Sequence, residues 1–542
     1  MFRRFDRLTG HIAAIVIIWA LVCLPSLGVP SLWDIDEGNN FECVREMIEA
    51  DNWVVPTFNY SLRTDKPALL YWLQIAAASV IGLNEWAARL PSAFSVLVVL
   101  LTVYALGRQM FGPLCGLLAA LVLATSPGVA GAARFANPDA LLLACTTLTL
   151  TLFWNDYASR GRGWLVGVGM CAGLGVLAKG PVGFVLPAAI AFLFLVSQGE
   201  WKRLLNLRVL GLILACVLVA APWYGWVAAE TRGVWIREFW NVHNLGRATR
   251  VMENHSGPIF YYLLVLVPAL IPWSIFLGPV CYRAWSERRE PAVMFLVIWA
   301  LLYLVFFSLA RTKLPNYVLP AYPALALLTG RYLERWIAGE SLVPAWLERV
   351  GLVGLALVGF VVSVGLLVLG GLIPLTALRA RTIPGVHLWA GLGLVLVAGA
   401  GAAAWCLDRG RRDGAMTAIT LAGAIFLMLA GAFVAPVVDE AKAPRPLAGA
   451  LPAELARQDA RIATWDYFQP SLVFYCRREV VRLNSVESLV HHLDQGNPAF
   501  AFLPESQLPQ LEQRRPVSVL ARHKDLYLGR TIVLVANRLA GG

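Results

Sequence analysis

Charged residues are scarce in this chain, so the few that flank long apolar runs stand out as carriers of chemistry. Three acids, Asp34, Asp36 and Glu37, follow the first apolar run by only a few residues. An acid at a membrane surface can serve as a general base on an acceptor hydroxyl or phosphate, or can bind a metal. The Asp36-Glu37 pair equally suits the first turn of a helix, because GNNFECVREMIEA reads as helical and acids favour a helix N-terminus. Asp139 opens a later apolar run in ARFANPDALLL, after Asn137 as a cap and Pro138 in the first turn. The helix dipole accounts for it, and so does a two-carboxylate site shared with Asp36, with Arg134 beside it.

The cations answer these acids. Lys66 stands in TDKPALLYW before an apolar helix, and Lys179 sits in a hairpin too short to leave the membrane region. Exposing a lysine to lipid is costly, which favours a paired or ligand-binding role for Lys179. Arg311, Lys313 and Tyr317 come from ARTKLPNYVLPAYP. Two cations and a phenol fit a phosphate site, or an interfacial anchor belt. With Arg134 and the other cations of the outer loops, they form a candidate surface for an anionic headgroup.

The elements that hold these residues follow from composition. The chain has 542 residues, 58% hydrophobic and 15% charged, with a net charge of +11. Soluble proteins are roughly a quarter charged, so this is a polytopic α-helical membrane protein. Its basic residues lie mostly in short loops, which speaks against nucleic acid as a partner. Nine cysteines are scattered singly with no CxxC, so no zinc cluster or disulfide framework is indicated.

Hydropathy predicts about thirteen spans. They fall near 11–29, 90–108, 112–131, 138–156, 164–178, 181–198, 207–228, 258–280, 291–309, 315–333, 349–372, 387–407 and 415–437. The first is read as a retained helix and not a cleaved signal. Basic residues set the orientation: Arg3, Arg4, Arg7, Arg108, Arg160, Arg162, Lys202 and Arg203 mark the inside. The long first loop, the 229–257 loop and the tail then lie outside, and outer cations include Arg247, Arg250 and Arg379. His243 and His255 in the 229–257 loop have no local partner at ligand spacing.

The chain thus divides into a membrane unit, 1–437, with interfacial helices in loop 30–89, and a tail, 438–542, read as a small α/β domain. The tail opens with a polar linker, DEAKAPRPLAG. RIATWDYF, SLVFYC, VVRLN, AFAFLP and TIVLVAN are predicted strands, and SVESLVHHLDQG and LPQLEQRR predicted helices. No catalytic motif is evident there.

Taken together, these residues resemble the polyprenyl-phosphate-dependent glycosyltransferases of the GT-C type. They are most similar to the bacterial aminoarabinose lipid A transferase family and the related protein mannosyltransferases. The matching features, in family order, begin with Asp36-Glu37, then Arg45-Glu46-Met47 with Trp53, Val55-Pro56 and Asn59. Lys66-Pro67 with Tyr71-Trp72, Asn84-Glu85-Trp86 with Arg89-Leu90-Pro91, and Asp139 follow. Leu177-Ala178-Lys179-Gly180, Pro272-Trp273 and Lys313-Leu314-Pro315 with Tyr317 and Leu319-Pro320 complete the set. Departures are Gly38-Asn39-Asn40 after the acid pair and Thr64-Asp65 before Lys66, which leave the sugar and the acceptor open.

The resemblance implies a GT-C membrane domain with an α/β domain in the periplasm, in the bacterial inner membrane. It implies a sugar donor on a polyprenyl phosphate such as undecaprenyl phosphate, and a lipid or glycan acceptor, lipid A among them. Asp36, Glu37 and Asp139 would be catalytic. Lys66, Lys179, Arg311, Lys313, Tyr317 and Arg134 would hold the donor phosphate. Family members can carry a divalent metal (zinc, magnesium or manganese), for which Asp65 and His243 are the candidates. A protein O-mannosyltransferase and a flippase for a lipid-linked sugar are the alternatives.

Overall fold

The computed structural model describes residues 8–161, 164–246, 256–340, 344–375, 381–452, 460–495 and 497–537. Arg3, Arg4, Arg7, Arg162, Arg247, Arg250, His255 and Arg379 lie outside them. Long apolar runs close their backbone hydrogen bonds within helices, since lipid offers no partners. Among the described residues six helices are long and apolar enough to cross a membrane, and a pair bent by 63° makes a seventh. Of the other expected spans, 138–156 is the unbroken 20-residue helix Asp139–Ala158, and the rest are shorter or broken helices. Residues 258–280, for example, split into Tyr261–Ala269, a 3-10 turn at Trp273–Phe276, and Leu277–Ser286.

The membrane unit begins with α1 (Leu8–Cys23) and the outer segment α2 (Asp36–Glu49), β1 (Thr57–Phe58), β2 (Ser61–Leu62) and α3 (Leu69–Ile81). Then come α4 (Glu85–Met110), the bent pair α5 (Pro113–Ala124) and α6 (Pro127–Arg134), and α7 (Asp139–Ala158). The predicted hairpin is α8 (Leu165–Lys179) and α9 (Val182–Ser197); α10 (Leu207–Glu230) and α11 (Val234–Glu238) follow. Asn84 caps α4 by accepting the Ala87 N–H at 3.0 Å. Small residues let helices approach closely. A Cβ on Gly107 of α4 would come within 2.7 Å of the Gly116 Cα on α5, so backbone packs on backbone there.

The outer segment is stitched to the bundle through tryptophans. Trp223 of α10 donates to the Val54 carbonyl at 3.1 Å, and Trp235 of α11 donates to the Arg63 carbonyl at 2.9 Å. These bonds fix the loop that carries Asp65 and Lys66 above α10.

The tail forms a five-stranded sheet of β3 (Arg461–Trp465), β4 (Val480–Leu483), β5 (Ala499–Pro504), β6 (Ser518–Lys524) and β7 (Thr531–Ala536). The strand order is β4-β3-β5-β7-β6. β3 runs parallel to both β4 and β5, while β7 is antiparallel to β5 and β6. Two expectations change. SLVFYC is not a strand: Pro470–Cys476 is a helix. Pro470 pre-sets its first turn, Asp34 accepts the Ser471 N–H at 2.6 Å, and Arg477 closes it in the left-handed region. β6 was not predicted, because its exposed face and its bulge between Val519 and Ala521 blur the alternation.

Nor is the DEAKAPRPLAG segment, 439–449, a free linker. Asp439 and Lys442 are buried and paired at 2.7 Å, and Lys442 donates to the Ser31 carbonyl at 2.8 Å while lying 4.0 Å over the Trp33 ring. The tail is therefore clamped to the segment that leads into α2.

Candidate functional site

Several separate segments of the chain deliver polar residues to one chamber. Asp36 begins α2 and Asp139 begins α7, each at the positive end of its helix. Lys179 ends α8, where Gly180 takes φ +81° and a Cβ would strike the Phe239 ring at 2.6 Å. Asn316 and Tyr317 lie on the short 3-10 helix Pro315–Ala321. Gln469 and Tyr527 come from the tail. The chamber has a volume of about 420 Å³.

Two apolar cavities open into it. One, of about 330 Å³, has walls that include Val182, Phe239, Trp240, Phe306 and Phe307. It shares Asp65, Lys66, Asp139, Lys179, Asn316 and Tyr317 with the chamber. The other, of about 350 Å³, runs past Gly131, Phe135, Val265 and Tyr322, and shares Asp36, Asn137, Asp139 and Asn316 with the chamber.

Asp139 is only 4% exposed, and its carboxylate accepts from both Lys179 Nζ and Asn316 Nδ2. Lys179 also lies 5.1 Å from the Tyr317 ring centroid, a cation–π contact. Asp36 is exposed to the chamber, and its carboxylate has no hydrogen bond or ion pair among the described residues. Asp34 is held by Ser471 and sits beside Asp36. Burial pushes its carboxyl up to about 7, against the Ser471 bonds and Lys442, which pull it down.

Some expected residues serve elsewhere. Glu37 is not in the chamber: it is fully buried, paired with Arg89 at 2.6 Å, and accepts the Trp33 and Ala136 N–H groups at 2.8 and 2.6 Å. All its acceptor capacity is used in joining α2, α4 and the start of α7. Arg134 spends its guanidinium on the carbonyls of Cys23, Pro25 and Gly431 at 3.1, 2.9 and 2.9 Å. Lys313 donates to the carbonyls of Ser308 and Ala310, each at 2.7 Å, closing the end of the preceding helix. Arg311 is exposed and lines none of the three cavities.

Asp65 and His243 line the same apolar-walled cavity. Burial opposes ionisation of Asp65, but Arg63, Lys66 and His243 beside it hold its carboxyl well below the usual carboxylate range. Both its oxygens are bonded by Arg63. Among the described residues no group of three or more His, Cys, Asp or Glu gathers for a cation. A divalent ion takes four or more ligands, so this donor set does not fit one by itself.

Sequence reasoning passed over Asn316, Gln469 and Tyr527, and read Asn137 only as a cap. Asn316 was within reach, since it fills the variable place in the quoted Leu314-Pro315-x-Tyr317 run. Gln469 and Tyr527 carried no local signal.

The family model described as dolichyl-phosphate-mannose-protein mannosyltransferase matches residues 65–226. An undecaprenyl phosphate-alpha-4-amino-4-deoxy-L-arabinose arabinosyl transferase of Pseudomonas aeruginosa (strain LESB58) is 33% identical over 334 residues. That match spans 60% of this chain and 60% of the length of the relative. The protein of the same name from Erwinia tasmaniensis is 29% identical over 80% of this chain and 78% of its own. The crystal structure of ArnT from Cupriavidus metallidurans bound to undecaprenyl phosphate superposes with a TM-score of 0.81. It is 24% identical, and the match covers 98% of this chain and 99% of that one. The resemblance read from the sequence therefore holds: this multi-pass membrane chain is similar to the undecaprenyl phosphate aminoarabinose arabinosyl transferases and has the GT-C fold of the ArnT structure.

Proposed function

We propose that the chain is a membrane glycosyltransferase that moves a sugar from a polyprenyl phosphate, undecaprenyl phosphate by the names of its relatives, to an envelope acceptor such as lipid A. One observation carries this reading. A polar chamber holding two lysines and an unpaired acid lies where two apolar cavities meet. A reaction between two lipid-borne groups needs that layout.

The donor chain lies in the cavity of Phe239 and Phe306, with its phosphate beside Lys66, Lys179 and Tyr317. The acceptor chain lies in the opposite cavity, with its nucleophilic oxygen at Asp36. That oxygen attacks the anomeric carbon. The bond from this carbon to the phosphate oxygen breaks, and the polyprenyl phosphate leaves with the electron pair, its charge matched by the lysines. A hydroxyl acceptor passes its proton to Asp36, whereas an ionised phosphate acceptor needs only to be oriented there. Asp139 positions Lys179 throughout.

The same reading gives thirteen spans over 1–437, an inside N-terminus, and a chamber and tail, 438–542, on the periplasmic face of the inner membrane. The basic residues of the inner loops support that orientation.

The test is mass spectrometry of envelope lipids and glycans in a strain lacking the chain, complemented with wild type or Asp36→Asn. One glycan addition disappears on deletion and returns with wild type, and its mass difference names the sugar. Asp36→Asn restores product about 10²–10⁴-fold more slowly. Full restoration by Asp36→Asn would instead favour a flippase, which binds the same headgroup without a base.

A further inference from the structure

Gln469 and Tyr527 belong to the tail, yet both line the chamber. Gln469 is 8% exposed, and its side-chain amide has no hydrogen-bond partner among the described residues. The amide atoms are not closed off by protein, so they keep contact with the open space of the chamber and are available to a ligand. The Tyr527 hydroxyl accepts the Asp34 N–H at 3.0 Å, which leaves its own proton to donate.

Resting on the function proposed above, we infer that Gln469 and Tyr527 recognise the hydroxyl or amino groups of the transferred sugar, so that the tail sets sugar specificity. The argument is one of position and charge. The phosphate needs cations, and Lys66 and Lys179 stand where the chamber joins the Phe239 cavity. The Asp36 cavity meets the chamber at Asp36, Asn137, Asp139 and Asn316. Gln469 and Tyr527 line neither cavity, only the chamber between them, where the group in transit must lie. Both are neutral, with donors and an acceptor suited to ring hydroxyls.

The tail is also held rigidly enough to read a ring. Ser471 bonds both Asp34 oxygens. Tyr475 accepts the Leu32 N–H at 2.7 Å and donates to Glu85 at 2.9 Å. Lys442 ties to Ser31. These bonds set the two recognising side chains on the same frame as Asp36.

The full-length protein in lipid nanodiscs is titrated with two probes, undecaprenyl phosphate alone and undecaprenyl phosphate carrying 4-amino-4-deoxyarabinose. Wild type binds the sugar-bearing probe more tightly. Gln469→Ala and Tyr527→Phe each weaken that probe about ten-fold and leave the bare lipid phosphate unchanged, which also verifies folding. Variants that bind both probes as wild type does, or lose both alike, overturn the inference, as does a sugar that adds no affinity in wild type. The proposed function fails separately, if bare undecaprenyl phosphate does not bind wild type or binds Lys66→Ala equally well.

Discussion

Two acid–cation pairs, Glu37 with Arg89 and Asp139 with Lys179, have similar composition and opposite surroundings. Glu37 and Arg89 are sealed. Arg89 gives its remaining hydrogen bonds to the carbonyls of Leu27, Pro30 and Ser31 at 2.7, 2.8 and 2.9 Å. No atom of the pair faces a cavity described above. Asp139 and Lys179 border open space instead: both line the chamber and the Phe239 cavity, and Asp139 also lines the third. A sealed pair with every donor and acceptor satisfied holds helices together. A pair that borders cavities keeps its charge available to a ligand, because the ligand can take over one partner.

The sharpest way to break this comparison is to remove one cation from each pair. Arg89→Ala strands Glu37 with no counter-charge and leaves three carbonyls unbonded. Stability should fall by about 3–5 kcal/mol, read as loss of monodisperse detergent-solubilised protein and a lowered unfolding temperature. Lys179→Ala should instead spare the fold, since Asp139 keeps Asn316 and chamber water, while transfer slows by about 10²-fold or more. Equal damage to stability by the two variants would erase the distinction. The smallest effect belongs to the exposed Arg311: Arg311→Ala should leave stability within about 0.5 kcal/mol and transfer within about two-fold. A large loss there would return Arg311 to the phosphate site that its sequence suggested.

Neighbours in sequence part in the same way. Asp36 and Glu37 are adjacent at the start of one helix, where successive side chains point about 100° apart. One opens to the chamber and the other is swallowed by α4. Spacing identified the pair but had no means to divide the roles.

Membrane residence, the helical class and the α8–α9 hairpin were legible from sequence alone, and Asp36, Lys66, Asp139, Lys179 and Tyr317, singled out there, all line the chamber. The physical reason is cost. A charge placed within or beside an apolar run must be compensated, so its presence there is informative before any fold is known. Tertiary structure decided which charges are struts and which line a site, because compensation comes from distant chain. Glu37 meets Arg89 from 52 residues away, and Arg134 meets Gly431 from 297 residues away. It also turned SLVFYC from a strand into a helix, through Asp34 at its first turn, and brought Gln469 and Tyr527 to the roof of the chamber. Local pattern records what a segment needs, and only the packed chain settles which segment supplies it.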